Sequence, residues 1–187
     1  MKRQIWAPAA LLLLPSLAWA ETAPQPYAGQ ETRQIKALSE EDIAALLHGR
    51  GMGLAKAAEL NSYPGPMHVL ELAASLQLTA EQQAATRKSF DRMQAEAVRL
   101  GQGIVARETE LDRLFADGKA EPETVRAKVA EIAALQGELR AAHLAAHLEM
   151  NKVLTAEQVA RYDQLRGYGT GAPAPHQHHH GHPHPGE

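Results

Sequence analysis

The stretch FADGKAEPE, residues 115–123, decides the fold of this chain. Asp117-Gly118 stops a helix, because glycine readily takes the left-handed backbone that closes a helix C-terminus. Pro122 suits the first turn of the next helix, where its missing N–H has no partner to lose. Upstream, in the helical pattern that starts at Thr79, Phe90, Met93, Ala97, Leu100, Ile104, Leu111 and Phe115 recur at steps of three, four or seven. Downstream, Val125, Val129, Ile132 and Leu139 form a second stripe. Two helices of roughly 30 to 35 residues with so short a connection fold back as an antiparallel hairpin. The expected fold class is all-α: a long antiparallel helical hairpin with short flanking helices. Folding about Lys119 places His147 opposite the region of Asp91 and His143 opposite that of Ala95. Gly101 and Gly103 interrupt the first helix at about 1 kcal/mol each relative to alanine, permitting either close packing or a bend.

Working outward, the pentapeptide LTAEQ occurs twice, at 78–82 and 154–158. Each copy offers a threonine N-cap (Thr79, Thr155), a glutamate in the positive end of the helix dipole, and a glutamine (Gln82, Gln158) at the reciprocal capping-box position. Its local job is to start a helix. Before the first copy, Ser39-Glu40-Glu41-Asp42 opens another helix that should fade before Asn61. Asn61–Pro66 reads as a turn, because two prolines lack N–H groups and bias the residues before them away from helix. A short helix, Met67–Leu76, follows.

The ends of the chain differ from its middle. Residues 1–20, MKRQIWAPAALLLLPSLAWA, combine a basic start, an apolar run and Ala18-Trp19-Ala20, the pattern of a signal peptide cleaved after Ala20. Residues 21–37, rich in Pro, Gln, Thr and Gly, read as a flexible lead-in, residues 38–168 as the helical domain, and residues 169–187 as a disordered tail. Export places the protein in the periplasm. The net charge of −3 argues against a nucleic-acid partner. There is no cysteine, so any metal must be held by His, Met, Asp, Glu or backbone.

At about 100° per residue, His143, His147 and Met150 continue the apolar stripe of the second long helix and point inward. Leu144 and Leu148 face away and need a second contact, from the last helix or a partner chain. His68 and Glu71 are three apart, share a face, and enter the first long helix at the same end of the hairpin. These five residues form a candidate site for a divalent ion, with zinc, copper or nickel/cobalt suited to the donor set. Ordinary packing of His and Met on an apolar face remains the alternative at this point. The tail adds His176, His178, His179, His180, His182 and His184, interleaved with Gly, Pro and Gln, a composition that chelates borderline metals.

The doubled LTAEQ, the helical layout and the signal sequence resemble the periplasmic LTxxQ family, which includes Spy/CpxP-type chaperones and CnrX-like heavy-metal sensors. The resemblance covers about Met67 to Tyr168. It implies a cradle-like homodimer of hairpins, a structural role for Thr79, Gln82, Thr155 and Gln158, and a His/Met helix (His143, His147, Met150) leading into the second motif. His68 and Glu71 stand where upstream ligands belong, but without that branch's His-x-x-x-His spacing. Two functions follow as expectations. One is a metal-binding stress or resistance protein that sequesters or senses divalent metal. The other is an ATP-independent chaperone holding unfolding envelope proteins. The chain has no nucleophile elbow, phosphate loop or HExxH, so no enzyme and no organic cofactor is expected.

Overall fold

In the computed structural model, which describes residues 25–168, the chain forms α1 (Glu40–Leu47), α2 (Lys56–Glu59), α3 (Pro66–Glu71), α4 (Ala80–Ala116), α5 (Pro122–Val153) and α6 (Ala156–Arg166). Residues 1–20, read as a signal sequence, and the histidine-rich tail lie outside the described residues. Residues 25–32, the described part of a separate unit, form turns with the Ala28 N–H on the Gln25 carbonyl and the Gln30 N–H on the Tyr27 carbonyl.

The hairpin of α4 and α5 forms with the register read from its connection. Contacts step down it from Ser89–Glu149 (2.5 Å) to Arg107–Glu131 (2.9 Å) and Glu110–Lys128 (2.7 Å). Gly118, at φ +67°, supplies the left-handed residue after α4. The central core is Leu46, Ala97, Leu100, Ile104 and Leu139. Gly101 permits the close approach of α1, since a Cβ there would lie 2.0 Å from the Leu46 carbonyl oxygen. Of the two readings of that glycine, close packing holds.

A second core, Val69, Leu76, Leu78, Met150, Leu154 and Tyr162, fills the open end of the hairpin. The two LTAEQ copies meet beside it. Each threonine caps its helix, with the Gln82 N–H on Thr79 Oγ1 and the Gln158 N–H on Thr155 Oγ1, both 3.2 Å. The glutamine amides then pair with each other: Gln82 Nε2 donates to Gln158 Oε1 at 2.7 Å, and Gln158 Nε2 to Gln82 Oε1 at 3.0 Å. Each Nε2 also reaches a backbone carbonyl just before the other motif, Val153 at 2.9 Å and Leu76 at 3.2 Å. The motif is therefore a cap and a clasp at once.

Four expectations change. The helix from Ser39 toward Asn61 is broken into α1 and α2 by a loop with left-handed backbone at Gly49 (φ +59°), Met52 (φ +46°) and Gly53 (φ +74°). The short helix expected over 67–76 ends at Glu71 and continues as turns through Gln77 (φ +51°). Phe115 and Val129, read as core, are 62% and 49% exposed. They sit toward the closed end, where little but the opposite helix covers them. Finally, the end of the segment read as a loose lead-in is docked: Ile35 is buried, and the Lys36 N–H donates to Asp112 Oδ1 at 3.0 Å.

Candidate functional site

His143 and His147 leave α5 one turn apart on the same side, and both are buried as the stripe requires. α2 and α3 pack against this part of α5, and α3 also touches α4. Together with the loop between α1 and α2 they enclose a cavity of about 760 Å³. Every histidine among the described residues lines it: His48, His68, His143 and His147. Three of the four described methionines, Met52, Met67 and Met93, do so as well.

The His147 ring is fixed by its surroundings. Its Nδ1–H donates to the Tyr63 carbonyl at 2.7 Å, which leaves Nε2 with the free lone pair in the neutral ring. Pro64 and Pro66 stiffen the chain on either side of Gly65. Gly65 itself gives the ring room, because a Cβ there would lie 3.0 Å from His147 Cε1 and 3.1 Å from Nε2. Behind the ring, Glu59 of α2 has Oε2 3.6 Å from His147 Nδ1 and accepts the Tyr162 hydroxyl on Oε1 at 2.5 Å. Burial, and then the Glu59 carboxylate, push the Tyr162 hydroxyl far above the usual phenol range, so it remains a donor. An imidazole held by one ring N–H on a carbonyl, with its other nitrogen free, is the arrangement metal-binding histidines use.

His143 differs. Burial, and then the neighbouring His147, push its pKa below the ordinary histidine value, so the ring is neutral at neutral pH. Its Nε2 is buried and has no hydrogen-bond partner. Such an orphan costs about 1–3 kcal/mol. In the tautomer that carries its proton on Nδ1, a metal ion bound at Nε2 removes that cost.

The other residues read as ligands fall in different places. His68 reaches the cavity, and its Nδ1 lies 2.9 Å from Glu71 Oε2. The Glu71 side chain is 59% exposed and is placed as the orienting partner of His68, outside the cavity lining. Met150 is fully buried in the open-end core beside Val69 and Tyr162, away from the lining. Among the described residues, no three His, Asp or Glu side chains gather into a metal cluster.

Sequence reasoning passed over His48, Met52, Met67, Met93, Glu59 and Tyr63. One signal was present: Gly49-Arg50-Gly51-Met52-Gly53 spends three glycines around a single methionine. Left-handed backbone at a residue with a Cβ costs about 1–2 kcal/mol, which a fourth glycine at position 52 would avoid. The cavity-lining Met52 side chain is held at that cost.

Comparison with curated proteins and with solved structures gives no match. The family model described as heavy-metal resistance matches residues 50–161, a span that begins in the glycine loop and takes in α2 to α5 and the second LTAEQ. More than half of the chain is covered, and the match accords with the likeness to the LTxxQ proteins, so the protein belongs to the heavy-metal resistance family.

Proposed function

We propose that the protein contributes to metal resistance by binding a heavy-metal ion in the His143/His147 cavity, and so sequesters or senses that ion in the periplasm. The observation that carries this reading is the unpartnered, buried Nε2 of His143 next to His147, whose tautomer leaves its own Nε2 free. His68, oriented by Glu71, lines the same cavity but does not gather with that pair into a three-residue cluster. Export is supported by the signal sequence, and the tail histidines offer a second set of imidazole donors. The function is binding rather than catalysis. The homodimer that the LTxxQ resemblance implies would give Leu148, 54% exposed on α5, a cover.

Calorimetric titration of the full chain tests this reading, with the six tail histidines replaced by glutamine, with and without His143→Ala/His147→Ala. The parent is expected to bind one ion per chain, and the double variant to lose at least about tenfold in affinity, or about 1.4 kcal/mol. Equal binding by both overturns the assignment.

A chaperone activity is the second reading, supported by the apolar rim: Met52, Leu60 and Met67 are 48%, 54% and 46% exposed. Suppression of client aggregation that is indifferent to chelator, and lost on Leu60→Asp/Met67→Asp, is its expected signature. If the same protein shows no suppression at equimolar client, the reading fails.

A further inference from the structure

The donors gathered by the cavity have a chemical bias. Its nitrogens come from four imidazoles, while its remaining donor side chains of soft character are the thioethers of Met52, Met67 and Met93. Oxygen donors are scarce: among the described residues Glu59 is the one carboxylate on the lining, and it already accepts from Tyr162 and lies beside Arg166. The charged lining residues are otherwise cationic, namely Arg50, Lys56 and Arg166. A positive rim raises the energy of a divalent ion about twice as much as that of a monovalent one, since the Coulomb term scales with charge. Thioethers are neutral, polarisable and weak toward harder dications.

The methionines also come from three separate elements. Met52 stands in the left-handed loop, Met67 on α3 and Met93 on α4, so the fold draws them to one cavity from positions with no sequence periodicity in common. A core filler is expected to be buried, yet Met52 and Met67 are about half exposed beside the imidazoles. Met150, by contrast, is buried and serves packing.

We infer that the cavity is a site for a soft monovalent metal ion, Cu(I) or Ag(I), held by imidazole nitrogens of His143 and His147 together with methionine thioethers from Met52, Met67 or Met93. This rests on the metal-binding reading of the same cavity and specifies the class of ion. Imidazoles by themselves serve nickel, cobalt and zinc as well, so it is the thioethers that favour the softer ion.

The test uses the full chain with its six tail histidines replaced by glutamine. Ag(I), or Cu(I) kept reduced without oxygen, is titrated against a competing chelator, with Zn(II) and Ni(II) in parallel. Met52→Leu/Met67→Leu/Met93→Leu preserves volume and apolarity, and circular dichroism melts check that each variant folds. The triple variant is expected to lose at least tenfold in Ag(I) and Cu(I) affinity with its Zn(II) binding unchanged, whereas His143→Ala/His147→Ala loses both. X-ray absorption of the Cu(I) form is expected to show sulfur scattering, which in a chain without cysteine must come from methionine. Absence of sulfur scattering, or undiminished Ag(I) affinity in the triple methionine variant, overturns the soft-metal inference even if the histidine pair still binds. If the histidine variant binds every ion as the parent does, the metal-binding reading itself fails.

Discussion

The two ends of the hairpin are built on different principles. At the closed end, α4 and α5 face each other with charged side chains, Arg107 on Glu131 and Lys128 on Glu110, while Phe115 and Val129 remain exposed. At the open end, α3, α6 and the turns around them cover the pair, and the packing includes fully buried Val69, Met150 and Tyr162. Surface ion pairs contribute little, whereas burial of an aromatic side chain contributes several kcal/mol. The difference teaches that the closed end can specify register and direction while the open end supplies stability. The histidine cavity sits at the stable end, where short elements enclose it.

The largest expected effect breaks the open end. Tyr162→Ala removes a fully buried ring and the hydroxyl on Glu59, and should cost about 3–5 kcal/mol in urea unfolding. Val129→Ala on the closed-end arm should stay within about 0.5 kcal/mol, as for exposed sites generally. Comparable losses in the two variants would remove the distinction between the ends.

A smaller effect sharpens the comparison at the clasp. Gln158 bonds to Gln82, to the Thr155 N–H and to the Leu76 carbonyl, so Gln158→Ala leaves several polar groups short of partners. A loss of about 2 kcal/mol is expected. A change confined to local fraying of α6, read by amide exchange with the global unfolding midpoint unmoved, would reduce the motif to a simple helix cap.

The smallest effect is a pH dependence. Glu149 accepts from Ser89 Oγ at 2.5 Å and from Arg92, and these partners hold its carboxyl below the usual carboxylate range. Because the folded pKa is depressed, the stabilisation is fully present above the ordinary value of about 4.5 and is lost as pH falls through the lowered one. Melting temperatures taken from neutral pH down toward pH 3 should drop less steeply in Glu149→Gln than in the parent. Identical slopes would show that this cross-hairpin contact carries no pH-dependent stability.

Much of the fold was legible because its signals are local. Asp117-Gly118, Pro122 and the two threonine caps act within a few residues of themselves, so helix ends and hairpin register followed from spacing. The inward face of His143, His147 and Met150 followed from helical geometry alone. The break after α1 was missed because apolar spacing carries across Gly49 and Gly53, whose left-handed backbone costs glycine nothing and leaves no mark on that spacing. Ile35 was missed because one buried residue makes no period.

By itself, the sequence determined an all-helical hairpin, the starts of its helices and the side of α5 that carries the histidines, since backbone hydrogen bonding and amphipathic spacing are properties of neighbouring residues. Only the tertiary structure decided what those residues meet. It paired Gln82 with Gln158 across the hairpin, set Met150 into the core and Glu71 onto His68, and drew His48, Met52, Met67 and Met93 to the same cavity as His143 and His147. Those groups come from four separate elements and a loop, and their distances follow from how the short elements pack on the long pair, which no local pattern encodes.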